Sequence, residues 1–508
     1  MGIHGSLRKP VEEVHMSFDH RPSSITVTSE PENRLLNITR FLHGRRCDES
    51  LQLAMKKVQS TFSPSIIGRI VAFLTPSFLE ARHARDQDHP PQLGPTAYLN
   101  GIRGVACLVV FNCHYANYNY DIAIAWGSGG ENYNFPRLPI VRLLYAGIPA
   151  VCVFFVISGY CLSYKALKLV RSRNGQDFSA TMSSLIFRRG IRLYLPTTFS
   201  TFIIAWLLRM GMYEWFREHG QNKTYFTKYD PPVRLETTSM QLMHWANTVF
   251  SGFQLSNWRD PVNYDRHLWT IPLEYRSSLC LFLVLYGTAR LRTFYRITTL
   301  SIIMYIMYRE SQWPHLLFLS GMAIVEWDHH RGAHTTNRKA TRPIQHALEA
   351  TLWNIVSFLG LYLLSLPFTF DRATPGYGYL TSLTPKWWSA PAPFHWHSIG
   401  SVIFVLASGH SRLWQRFFTS RIVQYFGNIS YSLYIVHGAV TTIGCLWFNM
   451  LVRTVTGVEG YWGFFGFFLS YCFATPLNIW CADIFHRAID IPSVKFAKGF
   501  EGKLMGKI

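Results

Sequence analysis

The stretch Gly101-Ile-Arg-Gly-Val-Ala-Cys-Leu-Val-Val-Phe-Asn-Cys-His114 carries a cation and an imidazole inside an apolar run long enough to enter a membrane. An ionisable side chain at bilayer depth costs about 2.5–3.5 kcal/mol on insertion scales, so it marks a functional position by default. On a helix, the step from Arg103 to His114 is about three turns, which puts both side chains on nearly the same face, roughly 16 Å apart. A cation and an imidazole at different depths on one face suit a site that holds an anion and moves a proton.

Composition extends this reading to the whole chain. Of 508 residues, 16% are aromatic and only 15% charged, against about 25% charged in ordinary globular proteins. Apolar stretches near the length of a bilayer span recur from about residue 97 to residue 485, so the expected fold is an all-α integral membrane protein. The net charge of +20 is scattered between apolar runs instead of forming one stripe. This argues for loops that face anionic lipid headgroups and against a nucleic-acid partner. Most of the nine cysteines sit inside apolar segments, without the spacing of a zinc site or a disulfide framework.

Ten membrane helices are expected, at 102–120, 145–164, 193–211, 268–287, 297–308, 314–327, 347–366, 397–409, 429–449 and 461–484. Every second loop is rich in Arg and Lys, which predicts that these loops and both termini are cytosolic. Residues 1–60 are polar and mixed in charge, and read as a disordered cytosolic tail. Residues 61–95 read as an interfacial helix and linker, 96–485 as the transmembrane domain, and 486–508 as a cytosolic C-terminal tail. Asn222-Lys-Thr224 falls on the opposite side and predicts a glycosylated Asn222. No cleavable signal peptide and no internal repeat are visible.

Five motifs carry the chemistry. They are Tyr98-Leu-Asn-Gly-Ile-Arg-Gly104 leading to His114; Phe154-Phe-Val-Ile-Ser-Gly-Tyr160; and Phe187-Arg-Arg-Gly-Ile-Arg-Leu-Tyr-Leu-Pro196. Then come His267-Leu-Trp-Thr-Ile-Pro-Leu-Glu274 and Gly427-Asn-Ile-Ser-Tyr-Ser-Leu-Tyr-Ile-Val-His437. Together and in this order they resemble the acyltransferase 3 family of membrane acyltransferases, over residues 95 to 485. The family's Arg and His of the first span fall on Arg103 and His114, and its Arg-x-x-Arg pair on Arg189 and Arg192. Its Ser-Gly-aromatic turn falls on Ser158 to Tyr160, its Trp-Thr-x-Pro-x-Glu run on Trp269 to Glu274, and its Ser-Tyr-Ser run on Ser430 to His437. Asn100 stands where many members carry Asp. Asn112-Cys-His114 and the long polar N-terminus are most similar to the fungal branch.

An alcohol is a poor nucleophile at neutral pH, so acyl transfer to a hydroxyl needs a base, and His114 is the candidate. Arg189 and Arg192, three apart on a helical turn, suit a phosphate such as those of coenzyme A, although a basic pair beside a span also marks a cytosolic flank. Glu274 either orients or stabilises the His114 imidazole or pairs with Arg103. Pro272 is expected to kink its helix. Ser158-Gly159 reads first as a close helix contact. His329-His330, His334 and His395-Trp-His397 lack metal-ligand spacing, and no metal is expected.

The resemblance implies an acyl-CoA-dependent O-acyltransferase, with acetyl-CoA the expected co-substrate. His114, Arg103 and Glu274 would be catalytic, with Arg103 stabilising the oxyanion. Arg189, Arg192, Ser158 and Tyr160 would bind the cofactor, supported by Trp269, Tyr431 and His437. The acceptor would be a hydroxyl of a small metabolite, lipid or glycan, in fungal secondary-metabolite biosynthesis, and the membrane that of the endoplasmic reticulum. The rival reading from the residues is a proton-coupled transporter of an anionic solute.

Overall fold

The computed structural model describes residues 66–77, 79, 93–228, 231–252, 264–332, 343–368, 374 and 376–506. The expected tail over 1–60 and His334 lie outside them. Residues 1–73 and 74–508 form two separate units. Helix α1 (Ile66–Leu74), up to Phe73, supplies the described part of the first.

The second unit is built of helices joined by turns and loops, with no strand among its described residues. Its chain runs through α2 (Ala97–Asn119), α3 (Gly147–Arg171), α4 (Gly175–Arg209), α5 (Glu214–His219) and α6 (Thr238–Gly252). It continues through α7 (Thr270–Thr288), α8 (Thr293–Arg309), α9 (Trp313–Arg331), α10 (Pro343–Leu364), α11 (Tyr377–Ser382) and α12 (Ala392–His410). It closes with α13 (Arg412–Phe418), α14 (Arg421–Val440), α15 (Leu446–Thr456), α16 (Gly460–Phe485) and α17 (Ile491–Leu504). π-helical turns at Thr441–Cys445 and His486–Asp490 join α14 to α15 and α16 to α17 without a break.

Each of the ten expected spans overlaps one of these helices. Five continuous helical segments are long and apolar enough to cross a membrane: 147–171, 175–209, 266–288, 421–456 and 460–504. They mark a multi-pass membrane protein. Helix α2, with the opening stretch, is not among the five, because Asn100, Arg103, Asn112, His114 and Asn117 dilute its apolar residues. Helix α4 begins at Gly175, well before the expected 193, because Asn174 caps it by accepting the Asp177 amide at 3.1 Å. Arg189 and Arg192 are therefore on regular helix. Residues 486–504 continue as helix and dock on α4, where Arg188 meets Glu501 at 3.2 Å.

Backbone-to-backbone crossings position the site. Gly104 of α2 lies against Gly427 of α14, where a β-carbon would come within 2.5 Å of the Gly427 nitrogen. Gly159 of α3 and Gly321 of α9 make a second such crossing. Small residues let helices approach this closely, and the expected role of Ser158-Gly159 as a close contact is met at Gly159. Helices α2 and α14 run parallel: Arg103 meets Ser430, and further along His114 meets His437 and Tyr118 meets Thr442.

The Pro272 expectation fails. Pro272 is the third residue of α7, where the missing amide hydrogen has no intrahelical partner to lose, so no kink follows. His329 and His330 fall in the last turn of α9, not in a loop.

Candidate active site

A cavity of about 710 Å³ opens between α2, α3, α4, α7, α14 and α17. Arg103, Arg189, Arg192 and Lys495 bring positive charge to its wall, and Glu274 and Asp490 bring negative charge. The π-turn at His486–Asp490 aims both of its end residues at the cavity, where His486 Nδ1 and Asp490 Oδ2 are 2.9 Å apart. Such turns recur at functional sites because they re-aim side chains without ending a helix.

Glu274 does not meet either expectation set for it. Its Oε1 lies 2.7 Å from Arg189 and accepts a hydrogen bond from Ser158 Oγ at 3.0 Å. The reason is register: Glu274 is seven residues beyond His267, about 10 Å of helix rise away from the imidazole end of the site. Arg103 donates to Ser430 Oγ at 3.4 Å. Arg103 and His114 are roughly 16 Å apart along α2, too far for both to act on one carbonyl group.

Tyr160 is turned away from the cavity and donates to Asp328 Oδ2 of α9 at 2.7 Å, while Ser158 lines the wall. Tyr431 lines it too, and its hydroxyl donates to the Leu193 carbonyl at 2.6 Å, stitching α14 to α4 beside Pro196. Trp269 is a half-buried packing residue at the end of the turn leading into α7. Asn222 is exposed.

Thr270 and Tyr434 close the inner end of the cavity, their hydroxyls 2.6 Å apart. The Tyr434 hydroxyl also donates to the His267 carbonyl. One helical turn beyond, about 5 Å of rise, stand three imidazoles. The ring centroids of His114 and His267 are 3.8 Å apart, those of His267 and His437 4.7 Å, and those of His114 and His437 5.2 Å. His437 is 1% exposed. Its Nδ1 faces the carbonyls of Leu433 and Tyr434 at 3.1 and 2.8 Å, which assigns the proton to Nδ1 and leaves Nε2 as a buried lone pair without a hydrogen bond.

His267 has a carboxylate behind it. Asp265 Oδ1 accepts the His267 backbone amide at 3.0 Å and lies 2.7 Å from the ring Nδ1. Burial pushes the Asp265 carboxyl up, but His267 outweighs it through charge and hydrogen bonds, so the group ends below the usual carboxylate range. The carboxylate only accepts, so the His267 proton belongs on Nδ1 and the lone pair on Nε2. Gly438 makes room for the pair: a β-carbon there would come within 2.5 Å of His267 Nδ1 and 2.7 Å of Asp265 Oδ2.

The three imidazoles are also a possible metal donor set, with ligand atoms within 4.8 Å of one another. Two imidazoles on one tetrahedral ion, each nitrogen about 2.0–2.1 Å from it, hold their ring centroids roughly 5 Å apart. His114 and His267, at 3.8 Å, are closer than that spacing, while a carboxylate behind His267 suits a proton acceptor and a metal-bound imidazole alike.

Comparison with known proteins gives the family. The family model described as "Acyltransferase domain", acyltransferase 3, matches residues 96–487. The chain belongs to the acyltransferase 3 family. It is 30% identical over 475 residues to O-acetyltransferase PaAT-1 of Phomopsis amygdali, covering 89% of this chain and 92% of that protein. It is 27% identical to acyltransferase R4 of Phoma sp., over 79% of this chain and 94% of that one. It is 26% identical to acyltransferase clz18 of Cochliobolus lunatus, over 78% and 94%. No solved structure gives a significant match. The acyltransferase 3 family and these fungal relatives support an O-acyltransferase.

Among the motif residues, the fold gathers Arg103, Ser158, Arg189, Arg192, Glu274 and Tyr431 around the cavity, and His114 and His437 around the imidazole cluster. Sequence reasoning passed over Asp265 and over His267 as a site residue. The signal was Asp265-x-His267, the spacing at which one carboxylate oxygen reaches both a backbone amide and its own ring two residues on.

Proposed function

We propose that this protein transfers an acyl group, acetyl first among them, from acyl-CoA to a hydroxyl of a small metabolite, lipid or glycan. The observation that carries the reading is the cation-lined cavity ending one helical turn from three clustered imidazoles. Arg192, Lys495 and Arg103 take the phosphates of coenzyme A, for which guanidinium forks and an ammonium are the matching donors. The pantetheine arm runs toward Thr270 and Tyr434. An imidazole of the cluster, with His114 the one singled out by motif, draws the proton from the acceptor hydroxyl as its oxygen attacks the thioester. Thr270 and Tyr434 close that end of the cavity, their hydroxyl protons already given to one another and to the His267 carbonyl.

The name of the relative PaAT-1 supports acetyl and an oxygen acceptor. The ten-helix topology with cytosolic termini puts the Arg192 end of the cavity on the cytosolic side, where acyl-CoA is found. It also puts the exposed Asn222 in the lumen of the endoplasmic reticulum, open to glycosylation. A fungal acceptor of the secondary-metabolite class fits the same scheme.

The test is turnover of radiolabelled acetyl-CoA by purified protein and by His114→Ala of equal yield and folding. Turnover lost in the variant supports the reading, and equal rates exclude His114 from the mechanism. Uptake of an anionic solute into proteoliposomes without any thioester turnover would replace the enzyme with a transporter.

A further inference from the structure

We propose that His267, held by Asp265, is the general base of the cluster, and that His114 serves as its ring neighbour; the assignment rests on the acyltransferase reading above. Three features point to His267. Only this imidazole of the three has a carboxylate at its Nδ1, 2.7 Å away, among the described residues. A carboxylate there fixes the tautomer and stabilises the imidazolium that forms when Nε2 takes a proton. The same Asp265 oxygen accepts the His267 amide at 3.0 Å, which fixes the carboxylate in place beside the ring. Gly438 of α14 presses on the pair so closely that a side chain would displace it, which keeps the arrangement rigid.

His437 is a poorer base. Its Nδ1 proton goes to neutral backbone carbonyls, which stabilise an imidazolium less than an ionised carboxylate does. His114 has no carboxylate beside its ring among the described residues, so an imidazolium there lacks the partner that His267 has.

The step balances within the donor and acceptor. The acceptor O–H bond breaks and its proton goes to His267 Nε2. The oxygen forms the ester C–O bond, the thioester C–S bond breaks, and His267 returns the proton to the departing coenzyme A thiolate. Asp265 is a positioning residue and keeps its charge throughout.

The test uses the full-length protein and acetyl-CoA, with water as the acceptor and released coenzyme A as the readout. Asp265→Asn, which keeps size and shape, is expected to lower kcat about 10²- to 10⁴-fold and leave the KM for acetyl-CoA within about two-fold. Asp265→Glu restores part of the lost rate, which a purely structural residue would not do. His267→Gln, which leaves the Asp265 contact to the residue 267 amide in place, is expected to lose turnover to the same degree as Asp265→Asn. Full turnover in His267→Gln, with loss confined to His114 variants, overturns the assignment and leaves the acyltransferase standing. A wild-type protein that neither binds nor turns over acetyl-CoA overturns the acyltransferase reading, and the dyad with it.

Discussion

Glu274 Oε1 stands 2.7 Å from the Arg189 guanidinium, while Arg192, one turn further along α4, is exposed and has no carboxylate partner among the described residues. The two arginines of the motif therefore do different work. Arg189 enters the cavity already neutralised, and Arg192 carries an uncompensated charge to the place where a phosphate would arrive. Arg192→Ala is expected to weaken acetyl-CoA binding about 10- to 100-fold, the range of one lost charge-assisted hydrogen bond. Arg189→Ala should change binding less and lower the melting temperature more, since Glu274 is left half-buried with Ser158 alone. Calorimetric titration with acetyl-CoA and thermal unfolding of both variants separate the two effects.

Removing the ring of His114 takes away the close neighbour of His267. His114→Ala is expected to reduce kcat by about 100-fold or more with little change in the KM for acetyl-CoA, because the cavity that takes the donor does not include His114. Steady-state kinetics on the purified variant check this split.

Gly438→Ala adds one methyl group where His267 Nδ1 would be 2.5 Å away. The Asp265–His267 pair must shift, so turnover should fall toward that of Asp265→Asn. Overpacking of this size costs about 1–3 kcal/mol, which a thermal melt will register as a modest loss of stability. An active Gly438→Ala would show that the pair has slack.

At the crossing of α2 and α14, Gly104→Val should cost more. A β-carbon at residue 104 meets the backbone of Gly427, which cannot give way as a flexible side chain would. The expected outcome is loss of monodisperse protein on size-exclusion chromatography, with little folded material to assay.

Asn222→Gln tests the orientation without touching the site. The wild type from a eukaryotic host should show a mobility shift on endoglycosidase treatment, and the variant should show none. A wild type without the shift, in a host that glycosylates other luminal sequons, would place this loop in the cytosol.

Much of the fold was legible because membrane helices announce themselves through long apolar runs and flanking charge. The ten expected segments overlap helices because each needs only local information: an apolar stretch, a cap, a basic end. Where the expectation missed, tertiary or sequence detail intervened. The start of α4 depends on the Asn174 cap, and Pro272 was harmless because of its place in the first turn of α7. Tyr160 looked like part of a binding turn but was claimed by Asp328 of a helix far along the chain.

The sequence by itself determined an all-α membrane protein of the acyltransferase 3 family, with Arg103, His114, Arg189, Arg192 and Glu274 as its marked polar residues. Those properties are carried by periodicity and local motifs. Only the tertiary structure decided who partners whom. Glu274 goes to Arg189 and not to His114, because it lies seven residues beyond His267 and so away from the imidazole end. His114, His267 and His437 come from three motifs spread over more than 300 residues of chain, and they meet because α2 and α14 cross through Gly104 and Gly427 while α7 enters alongside. Side-chain pairing between distant helices depends on crossing distance and register, and neither is written in the local pattern of any one of them.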